Sequence, residues 1–203
     1  MLLYSTLAAL TLLAGLTIAL ALQNRDLFRI GEYREFLVRM TPAFTTAVFV
    51  AGLPLVLAQA DVDQYGVVLL VYLAGSAVLT TIAARAVAPD ERRAGRAFHS
   101  GEYEKAAEHY EEMISTRPLP RYFSALAATR DATGDPHAAL EAAEHAIQRD
   151  PKLGIAYYNR ASALVALGEN SRARADLQMV FQVEAGKKLK DAAGDALETL
   201  EPH

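Results

Sequence analysis

The sequence predicts an all-α protein in two parts: an apolar helical anchor over residues 1–88, and a helical repeat array after it. Three long apolar runs occupy the first part. In the second part, Gly101, Gly134 and Gly168 recur at intervals of 33 and 34 residues, a period typical of stacked helix-turn-helix repeats. We therefore expect a three-helix transmembrane anchor followed by an α-solenoid of about three repeats.

The apolar runs cover residues 2–22, 43–60 and 67–84, and none contains a charged residue. A helix rises about 1.5 Å per residue, so about 20 residues cross the roughly 30 Å hydrocarbon core of a bilayer. The runs also lack the polar face that a surface helix of a soluble protein shows. We expect all three to span the membrane. Because intramembrane charges mark ion and proton paths, their absence argues against a transporter.

The charges that flank these runs predict the orientation. Arginines lie on both sides of the last two runs: Arg25, Arg29, Arg34 and Arg39 before them, and Arg85, Arg92, Arg93 and Arg96 after them. The turn between the two runs is acidic, with Asp61 and Asp63. Cytoplasmic loops collect Lys and Arg. We therefore expect an integral protein of the cell (inner) membrane whose repeat domain is cytoplasmic.

The first run has two further features. It ends in Ala19-Leu20-Ala21, which resembles a signal-peptidase site, but no basic residue precedes the run as a signal peptide requires. Small residues also recur every four positions, at Thr11, Gly15 and Ala19, and again at Ala47 and Ala51 of the second run. This spacing lets helices approach closely. We expect packing within the chain, with a dimer contact as the alternative.

The segment 23–42 between the first two runs has an amphipathic pattern. Its apolar residues fall at steps of three and four: Leu27, Ile30, Tyr33, Leu37 and Met40. A helix with this pattern would lie in the cytoplasmic interface, with its arginines near anionic headgroups. Gly31 interrupts the pattern, so an ordinary polar loop is the alternative.

The rest of the chain divides into repeats over residues 89–118, 119–151 and 152–185, followed by a segment at 186–203. In each repeat a glycine separates two stretches with apolar residues at steps of three and four. An alanine follows each glycine five positions later: Ala106, Ala139 and Ala173. Small side chains there allow two helices to approach closely. We expect residues 186–203 to supply a tail and a capping helix, whose apolar stripe consists of Leu189, Ala193, Ala196 and Leu200.

The last repeat resembles the tetratricopeptide repeat (TPR) family. The resemblance is carried by Ala156-Tyr157-Tyr158-Asn159-Arg160-Ala161, Leu167-Gly168, Ala173 and Leu177. The middle repeat matches through Phe123, Leu126-Ala127, Gly134, Ala139, Ala146 and Pro151. The first is a weaker match, with Ala94 and Ala97 where larger residues are usual. The resemblance implies an α-solenoid that binds a protein or peptide.

The resemblance also implies a groove lined by the first helix of each repeat. The groove positions fall on Arg92, Phe98, Arg121, Ser124, Ala128, Asp131, Ile155, Tyr158, Asn159 and Ser162. Their mixture of aromatic and polar groups suits an extended peptide or a helix. Ser124 and Ala128 stand where some family members carry a Lys/Asn clamp for a C-terminal carboxylate, so a clamp is not expected. The alternative is that these residues pack against the cap or the anchor.

Composition and motifs argue against other classes of function. The chain has no cysteine, and Glu141 and His145 form an isolated pair at a spacing that metal ligands can use, so we expect no metal and no cofactor. A net charge of −4 has the wrong sign for nucleic acid binding. Since the sequence contains no phosphate-binding loop or nucleophile motif, we expect that the protein is not an enzyme.

These observations predict a membrane-anchored interaction scaffold that recruits a partner or assists assembly of a membrane complex at the cytoplasmic face. Its partners would be a protein or peptide in the groove and the lipid bilayer, with no nucleic acid. The alternative is an integral accessory subunit, whose spans contact other membrane subunits while the repeats brace the complex.

Overall fold

The computed structural model describes residues 2–200, apart from the side chains of residues 2–6, 8 and 9. The chain separates into two compact units, with the division between Pro89 and Asp90. The described residues form α-helices and one short 3-10 turn. They contain no β-strand, and one isolated β-bridge joins Leu153 to Glu184. The protein is therefore all-α, as the sequence predicts.

The first unit contains five α-helices. These are α1 (Leu2–Gln23), α2 (Arg25–Arg29), α3 (Tyr33–Arg39), α4 (Thr41–Leu57) and α5 (Tyr65–Ala86), with the 3-10 turn Val62–Gln64 before α5. Helix α4 contacts both α1 and α5. Among the described residues, only α5, together with the 3-10 turn, is by itself long and apolar enough to cross a membrane. Helices α3 and α4 satisfy the criterion together but are bent by 50°. In α1, the stretch Leu10–Gln23 is apolar but shorter.

Polar contacts and one glycine join α4 to α5. The hydroxyl of Tyr72 donates to the carbonyl of Phe49 at 2.8 Å, and the two rings meet edge to face. Thr46 and Thr80 share a hydrogen bond of 3.3 Å. A Cβ at Gly52 would lie 2.8 Å from the Tyr72 hydroxyl, so a larger residue there would displace this hydroxyl. Hydrogen bonds and a ring contact therefore join the two helices at several positions along their length.

The small residues singled out in the apolar runs lie mostly on the surface of this unit. Thr11, Gly15 and Ala19 are exposed, and a Cβ at Gly15 would meet no atom within 4 Å. On α4, Ala47 is half-buried and Ala51 is exposed. Within this unit, the face of α1 that carries Gly15 is therefore not covered by another helix. Its packing against a further helix stays a prediction.

Segment 23–42 forms a helical hairpin rather than one helix. Gly31 separates α2 from α3 and has a φ of +84°, in the left-handed region that favours glycine. The apolar residues do not share one face, since Leu27 and Met40 are buried whereas Tyr33 and Leu37 are exposed. The segment is therefore neither one helix nor a polar loop. It is a compact turn of two short helices.

The second unit is a series of antiparallel helix pairs. Its helices are α6 (Pro89–His99), α7 (Tyr103–Thr116), α8 (Pro120–Ala132), α9 (Pro136–Arg149), α10 (Gly154–Ala166), α11 (Asn170–Gln182) and α12 (Lys187–Thr199). Contacts run between successive helices from α7 to α12 and also join α8 to α10 and α10 to α12. This is the stacking of a repeat array, in which α12 takes the place of the first helix of a fourth repeat.

The three periodic glycines end the first helix of each pair. Their φ values are +81° at Gly101, +79° at Gly134 and +79° at Gly168. At the last of these turns, the N–H of Glu169 bonds to the carbonyl of Leu164 at 2.8 Å, and the N–H of Gly168 bonds to Val165 at 3.0 Å. This is the Schellman arrangement, which closes a helix with a glycine. The other two glycines have the same pair of bonds.

The alanine five residues after each of these glycines is fully buried. Ala106, Ala139 and Ala173 are each 0% exposed. They lie on the second helix of each pair, where a larger side chain would separate it from the first. The glycine period and the buried alanines together confirm the helix-turn-helix repeat that the sequence predicts.

Two glycine substitutions with opposite expected effects test this account of the turns. A Cβ at Gly168 or at Gly95, inside α6, would meet no atom within 4 Å, so the backbone conformation decides the effect. Gly168→Ala forces alanine into the left-handed region and should destabilise the repeat unit by about 1 kcal/mol. Gly95→Ala should stabilise it by about 0.5 kcal/mol, because alanine is the better helix former. Denaturant unfolding followed by circular dichroism measures both; equal effects would contradict the explanation.

Candidate functional site

An open pocket of about 410 Å³ lies between α10 and α12 of the repeat unit. Its walls come from four helices, because α11 lies beneath it and the end of α8 lies beside it. The lining residues are Asp131, Tyr158, Ala161, Ser162, Val165, Ala166, Leu177, Ala196, Thr199 and Leu200. The pocket is thus mainly apolar, with a carboxylate, two hydroxyls and a phenol among its polar groups.

Three of the predicted groove residues meet in this pocket: Asp131, Tyr158 and Ser162. The hydroxyl of Ser162 donates to Oδ2 of Asp131 at 2.7 Å, which joins α10 to α8 and holds the carboxylate in the wall. Among the residues that the structure describes, no Lys or Arg belongs to the lining. The pocket therefore presents a negative charge beside apolar surface, and nothing in its wall would neutralise an acidic ligand.

Asn159 and Ser124 have a different role from the one expected of groove residues. They are only 8% and 2% exposed. Nδ2 of Asn159 donates to the backbone carbonyl of Ser124 at 2.7 Å and to its hydroxyl at 3.1 Å. A buried amide satisfied in this way stabilises the packing of α10 against α8. Its donors are engaged, so it cannot act as a clamp for a ligand carboxylate.

The remaining predicted residues lie outside the pocket. Arg121 approaches Glu91 at 3.8 Å, which ties α8 to α6. The ring of Phe98 packs edge to face on that of Tyr103, 5.4 Å away. Arg92 and Ile155 are exposed and Ala128 is half-buried. The structure therefore brings together one cluster of three groove residues and leaves the others along the helices.

Seven pocket residues were absent from the predicted groove: Ala161, Val165, Ala166, Leu177, Ala196, Thr199 and Leu200. Val165 lies one helical turn after Ser162 on α10, so the spacing places it on the same helix face as a predicted groove residue. Its side chain is 43% exposed. Ala196 and Leu200 belong to the apolar stripe of the expected capping helix. The helix that caps the array thus also completes its pocket.

The charged groups inside the last repeat are used for structure. The guanidinium of Arg160 forms two hydrogen bonds of 2.7 Å with the buried carboxylate of Asp176 on α11. The bonds to Asp176 raise the pKa of Arg160, so it is charged at neutral pH. Burial raises the pKa of Tyr157, whose hydroxyl donates to the Pro151 carbonyl at 3.1 Å. Neither group is placed to act on a ligand in the pocket.

Within the part of the chain that the structure describes, no three His, Asp or Glu residues converge as metal ligands would. The pair singled out in the sequence, Glu141 and His145, has a contact of 3.9 Å between Oε1 and Nε2. His145 instead lies against Phe123, with ring centroids 5.5 Å apart. The pocket remains the feature of this unit best suited to a partner.

The second unit is a TPR-like repeat domain. It has paired antiparallel helices, left-handed glycine turns and a face built from alternate helices. Solved structures with the same fold include the type III secretion translocator chaperone SycD of Yersinia enterocolitica, with a TM-score of 0.52 and 23% identity over 55% of this chain and 81% of SycD. The second TPR domain of human RPAP3 has a TM-score of 0.51 and 23% identity over 56% of this chain and 93% of that one. These similarities concern the fold.

Two of these structures contain peptides. SycD has also been solved with a peptide of the translocator YopD, and this form has a TM-score of 0.51 to the present chain. The RPAP3 domain is in complex with the HSP70 peptide SGPTIEEVD. No protein-family model matches the chain, and neither does any curated protein. The neighbours named here are thus a secretion chaperone and a TPR domain in complex with a peptide.

Proposed function

We propose that this protein is a membrane-anchored interaction scaffold whose repeat domain binds a segment of a partner protein in the pocket between α10 and α12. The pocket itself carries the proposal. It is open, it has an apolar wall with the exposed side chain of Val165, and it uses the helices that form the binding face of a TPR-like array. The peptide complexes of SycD and RPAP3 support binding of this kind.

The lining selects the chemistry of the partner. An apolar side chain fits against Val165 and Leu200, and Asp131 favours a basic or hydrogen-bond-donating neighbour. An acidic peptide such as one ending in EEVD is disfavoured, because the pocket has a carboxylate and no cation. Asn159, which could have bound a terminal carboxylate, is already bonded to Ser124. The partner segment is therefore apolar with neutral or basic flanks.

Helix α5 supports the membrane anchor. The stretch Val62–Ala86 has a mean hydropathy of 2.2 over its best window, and none of that window is buried within the protein. A core helix of a soluble protein would be mostly buried, and a signal sequence would lie near the N-terminus. Large apolar side chains of α5, such as Leu70 and Val71, are well exposed. An apolar surface of this size is unfavourable in water but favourable in contact with lipid.

The hydroxyl groups of these helices also suit lipid. Each serine and threonine hydroxyl described in α1, α4 and α5 has a partner in the protein, in most cases a carbonyl of its own helix. Thr17 bonds to Leu13, Thr45 to Thr41 and Thr81 to Ala77, at distances of 2.7 to 2.9 Å. Hydroxyls bonded in this way have no need of water, as is required inside a bilayer.

Selection from a displayed peptide library tests the proposed pocket. The full chain in lipid nanodiscs serves as bait, and Val165→Asp in the same nanodiscs serves for counter-selection. We expect enriched peptides that combine an apolar residue with Lys or Arg and that bind the variant more weakly. Enrichment of acidic C-terminal motifs, or of peptides indifferent to Val165→Asp, would contradict the proposal.

The orientation follows from the arginines around α4 and α5 and is tested separately. A reporter active only in the cytoplasm, fused after residue 203, should be active, and one fused into the turn at residues 58–61 should be silent. The opposite result would place the repeat domain outside the cell. Alkaline extraction should leave the chain in the membrane fraction.

One observation favours the second candidate, an accessory subunit of a membrane complex. The exposed face of α1 with Thr11, Gly15 and Ala19 has no neighbour within the described residues of its unit. Bulky substitutions at Gly15 and Ala19 separate the two functions. Loss of complex association in these variants would favour the subunit, whereas loss only in Val165→Asp would favour the scaffold.

A further inference from the structure

The hairpin of α2 and α3 buries several charged side chains and exposes several large apolar ones. Glu35 and Arg39 are 8% and 7% exposed, and Nε of Arg39 donates to Oε1 of Glu35 at 3.1 Å. Asn24 and Asp26 are buried as well. Charged groups with partners are therefore buried in this hairpin together with the apolar Leu27 and Met40, whereas a water-soluble protein seldom buries charged side chains.

The outer surface of the hairpin carries large apolar side chains alongside the charged Arg25, Glu32 and Arg34. Phe28, Tyr33 and Leu37 are between 54% and 57% exposed, and Val38 is 47% exposed. The ring of Phe28 lies 5.2 Å from that of Tyr33 and 5.7 Å from that of Phe36, both edge to face. These contacts join the rings of the two helices. We call Phe28, Tyr33 and the exposed Leu37 of α3 the aromatic ridge.

We propose that this aromatic ridge lies in the boundary between headgroups and acyl chains of the bilayer, on the cytoplasmic side of the anchor. The inference rests on the proposed anchoring and adds a specific lipid-contacting surface to it. Aromatic side chains favour this boundary because their rings are apolar while their edges and hydroxyls are polar. The buried ion pair keeps the charges of Glu35 and Arg39 away from lipid, so the ridge can contact this boundary without them.

The geometry of α3 and α4 supports this placement. Met40 ends α3 and precedes α4, and the two helices are bent by 50°. A helix in the interface that turns into a spanning helix requires such a bend. The exposed apolar surface also continues from the ridge into α4 through Phe44 and Val48.

Charge on the ridge matches the same environment. Arg34 is exposed and lies between Tyr33 and Leu37 in the outward-facing half of α3. A long arginine side chain can extend from the apolar boundary to the phosphates of anionic lipids. The ridge thus combines apolar contact with a cation, which is the usual chemistry of an interfacial helix.

Tryptophan fluorescence tests the depth of the ridge, because the chain contains no tryptophan. Phe28→Trp and Leu37→Trp place single probes on the ridge. Leu73→Trp, near the middle of α5, is the matched probe for the bilayer core, and Phe181→Trp, exposed on α11, is the probe for water. Each full-length variant is reconstituted into phosphatidylcholine and phosphatidylglycerol vesicles with bromine at a shallow or a deep position of the acyl chains.

We expect shallow bromines to quench both ridge probes about twofold, at the depth of 5–10 Å that interfacial helices reach. Deep bromines should quench Leu73→Trp most strongly, and neither should quench Phe181→Trp. Quenching at Leu73→Trp without quenching at Phe28→Trp and Leu37→Trp overturns the ridge but leaves the anchor. Ridge probes shielded from both bromine and aqueous acrylamide would mean that protein covers them, which also overturns it. No quenching at any site overturns the anchor itself.

Discussion

Truncation of the chain after Ala185 is expected to destabilise the repeat unit severely and to make it aggregate. The truncation removes α12, whose Leu189, Leu197 and Leu200 pack on the buried core around Leu177 and Val180. Burying a leucine side chain contributes about 1.5–3 kcal/mol, so the loss is roughly 5 kcal/mol before the entropy of ordering the helix is counted. This is a large part of the roughly 5–15 kcal/mol that stabilises a typical domain.

A point variant tests the same contact without shortening the chain. Ala193 is 0% exposed at the centre of α12, so Ala193→Asp would bury an unpaired carboxylate and should lower the free energy of unfolding by about 3 kcal/mol. Asp191→Ala, at an exposed position on the same helix, is the matched control and should change little. Thermal unfolding followed by circular dichroism, with light scattering for aggregation, provides the measurement. An unchanged melting temperature in both the truncation and Ala193→Asp would show that α12 is not part of the folded array.

Val165→Asp is expected to weaken partner binding by about 30-fold without changing the stability of the repeat unit. Val165 is 43% exposed in the pocket wall, so a carboxylate there stays hydrated in the free protein. On binding, the same carboxylate would be covered by an apolar side chain beside Asp131, at a cost of about 2 kcal/mol, which corresponds to that loss of affinity.

Ile155→Asp is the matched control for this variant. Ile155 lies on the same helix and is 39% exposed, but it is not part of the pocket. Titration of a selected peptide against both variants in nanodiscs compares the two positions directly. Equal losses would indicate binding along the whole of α10, and a loss only in Ile155→Asp would exclude the pocket.

The repeat fold could be predicted from the sequence because its determinants are local. The left-handed φ of Gly134 depends on the absence of a side chain, and the close contact at Ala139 depends on a small one. Both requirements recur with the repeat and are therefore visible as a period. Gly31 also has a left-handed φ for the same steric reason. This turn occurs only once, so it produces no period in the sequence and shows only as an interruption of the amphipathic pattern.

The site was only partly predictable, because it depends on contacts between distant residues. Asn159 occupies a groove position in the repeat frame, yet it bonds to Ser124, which lies 35 residues earlier in the chain. Leu200 was assigned to the cap because its apolar spacing predicts a buried stripe, and the stripe also lines the pocket. In the first unit, periodicity could not reveal that Arg39 turns inward, since an ion pair with Glu35 satisfies it there.

Site-specific photocrosslinking in intact membranes tests the central proposal most directly. A benzophenone amino acid replaces Tyr158 in the pocket, and the same amino acid replaces Gln178, exposed on α11, as the control. The proposal predicts a membrane-associated adduct of one partner segment at Tyr158, absent at Gln178 and lost when Val165→Asp is added to the Tyr158 probe. Equal adducts at the two positions, or an adduct at Tyr158 that persists with Val165→Asp, would contradict it.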